Sequence, residues 1–294
     1  MPEIQYVQRL KEKWDSYVSN GLVGYDGNLL ETRVLDPKDG RLPFFLVFND
    51  GRRRYIERLA QRGSDASCPF CSDDFEELKI DDLLSLRVLP NKFPCLPHQF
   101  ILTPQEHTGS LEVKYLDDAV SFAKRTGFKV YCNTSGSGGA YTHLVFQASG
   151  KHHTAPEQDF FSYVKTNPLV EGRDTNVGRV GRIEHTVFGV GLVGQNISLI
   201  VSNLANTYER SINLMFKDNQ VYIFPRTEVE VPSGFGKWKF GVLEAIGMFI
   251  CQDAQVFRSL EYDQLEKAMK EISQSEKSEQ DRFIDTICKL VGED

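Results

Sequence analysis

The sequence predicts an α+β fold made of two halves, each a mainly antiparallel sheet with flanking helices. Three observations predict it. Apolar runs of strand length alternate with amphipathic helical segments in the first half of the chain, and the same pattern returns in the second half. Between them, residues 165–179 hold few apolar side chains and several turn formers. We therefore place the boundary between residues 1–165 and residues 166–294.

Apolar periodicity predicts two helices and several strands in the first half. The helices span residues 4–18 and 111–126, where apolar side chains recur at helical spacing. The strands are continuous apolar or alternating runs. They are predicted at residues 43–48, 86–93, 98–103, 129–132 and 142–149.

In the second half, the clearest pattern is a β-hairpin. The apolar runs 211–216 and 220–224 are joined by a short polar turn, which is the spacing of two paired strands. Residues 241–250 are predicted to be helical. The charged tail, residues 262–291, is predicted to form one long helix or two short ones.

Composition limits the classes of function. The 294 residues are 40% hydrophobic, which suffices for a substantial core, and the net charge of -7 argues against a general nucleic-acid binder. The most apolar stretch, residues 240–257, contains Glu244 and Asp253 and is too polar to span a bilayer. The first residues do not form a signal peptide, and the six cysteines are too scattered for a disulfide scaffold. We expect a cytoplasmic protein.

The strongest local motif is Cys68-Pro69-Phe70-Cys71. Two thiolates separated by two residues can bind one Zn²⁺ at about 2.3 Å. A redox dithiol would follow a strand and begin a helix, whereas a loop-like segment precedes this motif, so zinc is favoured. An ordinary buried pair stays open as an alternative. Two further ligands would have to come from the six histidines: His98, His107, His143, His152, His153 and His185.

A glycine-rich turn opens the second motif, NTSGSGGAYTHLVFQ, at residues 133–147. Gly136, Gly138 and Gly139 allow the backbone to approach a ligand closely, as in loops that surround phosphate with N–H groups. The motif resembles the active strand of the histidine-triad superfamily, in the branch of galactose-1-phosphate uridylyltransferase, diadenosine tetraphosphate phosphorylase (ATP adenylyltransferase) and GDP-hexose phosphorylase. In that branch an Asn and small residues precede His-x-His-x-Gln.

Other segments are similar to the same branch and occur in the same order. They are residues 49–52, 91–94, 98–112 and 211–226. The resemblance implies two histidine-triad-like halves and a nucleotide or nucleotide-sugar ligand. It also implies a structural zinc, held by four residues with no open coordination position. These ligands are Cys68, Cys71, His107 and His143.

The nucleophile position of the family departs from its pattern. Val145 replaces the second histidine, which in the family carries the nucleotidyl group, and valine cannot form that intermediate. Ala140 replaces a phosphate-binding serine, whereas Gln147, which contacts the transferred phosphoryl group, remains. If the alignment is shifted by two residues, His143 becomes the nucleophile but the zinc loses a ligand; we prefer the zinc register.

The nucleotide-binding residues implied by the resemblance lie around this strand. Arg52, in a run of three arginines, would bind phosphate, or it would be part of a solvated basic turn. Asn91 and Phe93 would contact ribose or base, or they would be ordinary strand-end residues. The full set is Arg52, Asn91, Phe93, Asn133, Gly138 and Gly139.

Three hypotheses of function follow. The first is an enzyme of nucleotidyl transfer or phosphorolysis on a dinucleotide polyphosphate or nucleoside-diphosphate sugar, in which phosphate or water attacks directly. The second is a catalytically silent nucleotide-binding protein. The third is a scaffold without a nucleotide ligand. Val145 and Ala140 favour the second hypothesis, while Gln147 and the glycines oppose the third.

Overall fold

The computed structural model describes residues 3–25, 30–37, 43–49, 68–71, 76–134, 143–150, 173–175, 178–184, 187–208, 210–226, 240–251, 253–273 and 276–291. Its helices are α1 Ile4–Ser19, α2 Val113–Thr126, α3 Ile197–Thr207, α4 Val242–Ala245, α5 Ala254–Ser259, α6 Tyr262–Ile272 and α7 Lys277–Leu290. Its strands are β1 Leu30–Leu35, β2 Phe44–Asn49, β3 Asp81–Asp82, β4 Leu86–Pro90, β5 Gln99–Pro104, β6 Lys129–Asn133, β7 Phe146–Ser149, β8 Arg173–Thr175, β9 Gly178–Glu184, β10 Phe188–Gly194, β11 Ile212–Lys217, β12 Gln220–Pro225 and β13 Met248–Cys251.

A ten-stranded sheet forms the centre of the fold, in the order β3-β4-β5-β7-β6-β11-β12-β10-β9-β8. Every neighbouring pair in it is antiparallel. A smaller sheet has the order β1-β2-β13, with β13 parallel to β2. The predicted α+β class, with mainly antiparallel sheets and flanking helices, is therefore confirmed. The boundary between residues 1–165 and 166–294 lies outside the described residues and stays a prediction.

Strand alternation divides the large sheet into two apolar faces. On one face, Val130 and Cys132 of β6 join the core formed with α1, α2, α3 and α7. On the other face, Tyr131 of β6 and Met215 of β11 pack in a second core with the small sheet and α6. We call this side, which carries Tyr131, the second face.

The second face carries another, separate apolar cluster near β4 and β5. Phe70, Leu89 and Ile101 form it, and Val145 packs against it. Gln147 on β7 lies between the two covered regions, because it pairs with Ile101 on one side and with Tyr131 on the other. The half-buried Gln147 thus lies on the second face between the core that contains Tyr131 and the cluster that contains Ile101.

Several predicted elements differ from those observed. The hairpin is confirmed, with Asp218 in the left-handed region at φ 55° in its turn. The helix predicted at residues 241–250 is wrong in its second half, because Gly247 turns the chain at φ 90° and β13 then pairs with β2. The charged tail forms two helices, α6 and α7. In the described part of the chain, no helix has the length and apolar character that a membrane crossing requires.

Candidate functional site

The four residues predicted as metal ligands converge in one cluster, with all their ligand atoms within 4.8 Å of one another. The Sγ of Cys68 lies 3.3 Å from Nδ1 of His143, and the Sγ of Cys71 lies 3.3 Å from Nδ1 of His107. Cys71 Sγ is also 3.5 Å from His143 Nδ1. Because thiolate sulfur and imidazole nitrogen are preferred ligands of transition metals, this cluster could hold a metal ion.

The orientation of the His143 ring suits a metal ligand. Its Nε2 lies 3.1 Å from the carbonyl oxygen of Pro104. A carbonyl can only accept, so Nε2 carries the proton and Nδ1 presents its lone pair to the thiols. Burial lowers the pKa of His143, which favours the neutral, ligating form. Burial also raises the pKa of the Cys68 thiol, so a cation has to be present for its thiolate to form readily.

Local structure places the ligands from three separate segments. The two cysteines flank a short 3-10 turn, Pro69–Cys71, closed by a hydrogen bond from the Cys71 N–H to the Cys68 carbonyl at 3.0 Å. His107 follows β5, and His143 precedes β7. These last two segments are tied together by Leu144, whose N–H donates to the Thr108 carbonyl at 2.5 Å.

Of the remaining histidines, His98 lies apart from the cluster. Its Nε2 is 3.1 Å from the Asp15 carboxylate, and its ring packs on Trp14 with 4.9 Å between centroids. His152, His153 and His185 lie outside the described residues.

Sequence reasoning missed Arg87, a buried arginine on β4 that is 6% exposed. One of its terminal nitrogens donates to the Phe70 carbonyl at 2.9 Å and to the Pro104 carbonyl at 3.0 Å. The other donates to Glu76 at 3.1 Å. Arg87 therefore connects the cysteine turn to the same Pro104 carbonyl that orients His143. A charged residue within the apolar run 86–90 was the available signal.

Val145, which is predicted to occupy the nucleophile position of the family, lies in an apolar environment. The partly buried Val145 packs against the cluster of Phe70, Leu89 and Ile101, and it offers no lone pair to an electrophile. Two residues on, Gln147 lies on the second face in register with Ile101. The described site therefore has an amide at position 147 and an apolar side chain at position 145.

Gln147 is held by a second glutamine. The Nε2 of Gln99 donates to the Oε1 of Gln147 at 2.9 Å, and the Oε1 of Gln99 accepts from the Cys95 backbone N–H at 2.8 Å. Gln99 is fully buried, whereas Gln147 is half-buried. The amide of Gln147 is thus anchored at its oxygen from within the protein.

Asn133, predicted to contact the nucleotide, joins three elements. Its Oδ1 accepts from the Nδ2 of Asn213 on β11 at 2.8 Å and from the N–H of Val242 at the start of α4 at 2.9 Å. Asn133 lies two residues beyond Tyr131 on β6 and therefore shares the second face with Gln147. Its predicted contact with a nucleotide stays a prediction.

Gly241 approaches Asn133 so closely that a methyl group at position 241 is expected to destabilise the protein. A Cβ at position 241 would lie 2.7 Å from the Asn133 Nδ2, and the two hydrogen bonds of Asn133 prevent that amide from moving away. We expect Gly241→Ala to lower the free energy of unfolding by roughly 1–3 kcal/mol, measured by urea denaturation. Gly24→Ala is the matched control, since its Cβ would meet nothing closer than 3.5 Å. Equal stabilities of the two variants would contradict this packing.

Asn91 and Phe93 lie at the other end of β5 from the Cys/His cluster. The N–H of Asn91 donates to the Gln99 carbonyl at the start of β5, and its Oδ1 accepts from the Phe93 N–H at 3.0 Å. The cluster is next to Pro104 at the end of β5, about 17 Å away along the strand. The structure thus does not bring these two residues to the cluster. Arg52, Gly138, Gly139 and Ala140 lie outside the described residues.

Comparison with solved structures gives similarity to the Ap4A phosphorylase Apa2 from yeast. Its complex with Ap4A has a TM-score of 0.66 and 16% identity, covering 93% of this chain and 98% of that one. Its complex with AMP has a TM-score of 0.65 and 16% identity, covering 90% and 95% of the two chains. An ADP-glucose phosphorylase from Arabidopsis thaliana with bound ADP-glucose has a TM-score of 0.39 and 14% identity, covering 83% and 100%.

No protein-family model matches the sequence, and the search of curated proteins finds no match. At 16% identity, the likeness to the yeast phosphorylase is one of fold. The resemblance to the diadenosine tetraphosphate phosphorylases that the sequence motifs imply is therefore confirmed at the level of the fold, over about nine tenths of the chain.

Proposed function

We propose that this protein binds a dinucleotide polyphosphate or a nucleoside-diphosphate sugar on the second face beside β7, and that it catalyses phosphorolysis by direct attack of phosphate. The observation that carries the proposal is the pair of Val145 and Gln147 beside the Cys/His cluster. The amide that contacts the transferred phosphoryl group in the family is kept, whereas the covalent nucleophile is not. The likeness in fold to a yeast Ap4A phosphorylase supports the choice of substrate class.

The metal in the cluster is proposed to be zinc. A tetrahedral site with bonds of about 2.3 Å to sulfur and about 2.1 Å to nitrogen has sulfur–nitrogen edges of about 3.6 Å. Three of the four sulfur–nitrogen distances here are 3.3 to 3.5 Å, close to this edge, and all the ligand atoms lie within 4.8 Å of one another. With four protein ligands the site is closed, and a bound zinc would supply a structural link between the cysteine turn and the start of β7.

A substitution of Arg87 tests this metal site without changing any of the four ligands. Arg87→Met removes the donors to the Phe70 and Pro104 carbonyls, which position the turn and the His143 ring. We expect the affinity for added Zn²⁺ to fall about 10- to 100-fold, measured by competition with a chromophoric chelator. Arg9→Met is the control, because it removes an exposed arginine that pairs with Asp81 and not with the cysteine turn or the Pro104 carbonyl. Unchanged affinity in Arg87→Met would remove the proposed role of Arg87.

The proposed reaction is a single displacement at phosphorus. An oxygen of inorganic phosphate attacks the α-phosphorus, and the bond from that phosphorus to the bridging oxygen breaks. The bridging oxygen leaves with the electron pair on the remaining phosphates. Diadenosine tetraphosphate would yield ADP and ATP, and a nucleoside-diphosphate sugar would yield the nucleoside diphosphate and the sugar 1-phosphate. Such chemistry needs mainly positioning and charge stabilisation, which do not require a covalent nucleophile.

The chain's own residues would serve this reaction by holding the phosphates. Gln147 would donate its amide hydrogens to a non-bridging oxygen of the α-phosphate, where negative charge shifts during displacement. Arg52 would bind the neighbouring phosphates through its guanidinium group, and Gly138 and Gly139 would allow the backbone to approach them. Val145 and its apolar neighbours would exclude water from one side of the reacting group.

Stereochemistry tests the direct route against the two-step route. With a substrate made chiral at the α-phosphorus by sulfur substitution, a single displacement inverts the configuration, whereas transfer through a covalent intermediate retains it. We expect inversion. We also expect mass spectrometry of protein incubated with substrate, but without phosphate, to detect no nucleotidyl adduct. Retention, or an adduct on any side chain, would contradict direct displacement.

The second candidate function is that of a catalytically silent nucleotide-binding protein, and Val145 is the observation that favours it. Binding without turnover would establish it. For either function we propose a reducing cytoplasmic location, since the metal site requires the thiols of Cys68 and Cys71 to be reduced.

A further inference from the structure

We propose that Gln99 is a positioning residue that fixes the polarity of the Gln147 amide, so that the site presents N–H donors and selects an anionic phosphoryl group. This inference rests on the proposed function, because it concerns the ligand of the same site. It assigns a role to a residue that the sequence motifs did not single out.

The hydrogen bonds leave only one orientation for both amides. The backbone N–H of Cys95 can only donate, and its partner at 2.8 Å is the side-chain carbonyl of Gln99. The NH₂ group of Gln99 must then point away from Cys95, and it donates to Gln147 at 2.9 Å. Gln147 must accept this hydrogen bond with its carbonyl oxygen. Its own NH₂ group is therefore the part that faces outward.

Burial makes this orientation rigid. Gln99 has no exposed surface, so a flipped amide would face the Cys95 N–H with its own NH₂ group and leave a buried donor without a partner. Gln147 is half-buried and would otherwise be able to present either its oxygen or its nitrogen to a ligand. The fixed donor behind it removes that freedom.

The chemical consequence is a preference for acceptors. An NH₂ group donates to phosphoryl oxygens and attracts negative charge, whereas an amide oxygen in the same place would repel it. Ile101 and Val145, two of the neighbours of Gln147 on the second face, are apolar and do not compensate for a reversed amide. The phosphate moiety, rather than the nucleoside, is thus the part of the ligand that depends on Gln99.

Gln99→Glu replaces only the NH₂ group of Gln99 by an oxygen, and it should reverse the orientation of the Gln147 amide. At pH 9, which keeps the introduced carboxyl ionised, it still accepts from the Cys95 N–H but has no donor for Gln147. Gln147 then has to turn its NH₂ group inward and its oxygen outward. We expect the dissociation constant for ADP, measured by calorimetry on the full chain, to rise about 10- to 100-fold. The dissociation constant for adenosine should change less than about twofold, because adenosine lacks the phosphates.

Two controls separate this effect from others. In a Gln147→Leu background, Gln99→Glu should not weaken ADP binding further, since there is no amide left to turn. Gln99→Met keeps the site neutral and tests the same role if the buried carboxylate prevents folding; its ADP affinity should fall about 3- to 10-fold.

The outcomes are distinguishable. Wild-type protein that binds no ADP would overturn the proposed function and this inference with it. If the wild type binds ADP, unchanged affinity in Gln99→Glu or in Gln99→Met overturns the inference alone. Equal losses for adenosine and ADP would show a merely structural role. An equal loss in the Gln147→Leu background would show simple charge repulsion, and either result would overturn the proposed positioning.

Discussion

We expect Cys71→Ala to lower the free energy of unfolding by on the order of 3–5 kcal/mol and to abolish stoichiometric zinc binding. The reason is the position of the Cys71 sulfur, 3.3 Å from His107 Nδ1 and 3.5 Å from His143 Nδ1. Removing one ligand opens a four-ligand site that joins the cysteine turn to β7. Guanidinium chloride denaturation and metal analysis of the purified variant measure the two effects.

Cys288→Ala is the control for Cys71→Ala. If burial alone determined the loss of stability, the loss would be larger in Cys288→Ala than in Cys71→Ala. Cys71 is exposed, so without a metal its replacement by alanine should change stability by less than about 0.5 kcal/mol. Cys288 is buried in α7, and its replacement should cost about 1 kcal/mol through lost packing. A larger loss in Cys71→Ala than in Cys288→Ala therefore requires the metal. A larger loss of stability in Cys288→Ala than in Cys71→Ala, together with wild-type protein that contains no zinc, would contradict the metal site.

The second large effect is expected for Gln147→Met. Methionine keeps the length of the side chain but removes the N–H groups that would stabilise the transferred phosphoryl group. We expect kcat for phosphorolysis to fall roughly 100-fold or more, measured by chromatographic separation of the nucleotides. Because the fully buried Gln99 amide loses the acceptor of its hydrogen bond, stability should also fall, by roughly 1–3 kcal/mol.

Gln220→Met provides the comparison for this variant. Gln220 is also a half-buried strand glutamine whose oxygen accepts one hydrogen bond, from the Tyr222 hydroxyl at 2.6 Å, but it lies on β12. Loss of a hydrogen bond in the sheet is thus similar in both variants, while only Gln147 is near the proposed phosphate site. If kcat fell equally in the two variants, the role assigned to Gln147 would be wrong.

Local sequence patterns predicted the elements whose stability is mainly local. The helix predicted at residues 4–18 is observed as Ile4–Ser19, because its apolar side chains recur at helical spacing and are buried on one face. The hairpin at residues 211–224 follows from two apolar runs and a short turn. Residues 241–250 gave a misleading apolar pattern. Their second half becomes a strand because β2, some 200 residues earlier in the chain, offers a pairing edge.

The Cys/His cluster could be predicted, because the CxxC spacing of Cys68 and Cys71 indicates a metal site and the family resemblance implies His107 and His143 as the other two ligands. Arg87 and Gln99 could not be predicted in the same way. Their roles depend on hydrogen bonds to backbone atoms, at the Phe70 carbonyl and the Cys95 N–H, and no spacing along the chain encodes those partners. Burial of the two polar side chains is the property that identifies them, and burial is known only from the fold.

The sequence resemblance predicts that Val145 stands at the nucleophile position of the family, but it could not predict the residues that surround Val145. The structure shows that Val145 packs against an existing apolar cluster of Phe70, Leu89 and Ile101. An imidazole at this position would have an apolar environment.

The central claim is that this protein performs phosphorolysis without the family's nucleophile, and turnover tests it most directly. The protein is incubated with diadenosine tetraphosphate, ADP-hexoses and GDP-hexoses, with and without inorganic phosphate, and the products are separated by chromatography. We predict release of a nucleoside diphosphate from at least one substrate only when phosphate is present, and its loss in Gln147→Met. Protein that binds these nucleotides but releases no product from any of them would contradict the claim and establish a silent nucleotide-binding protein.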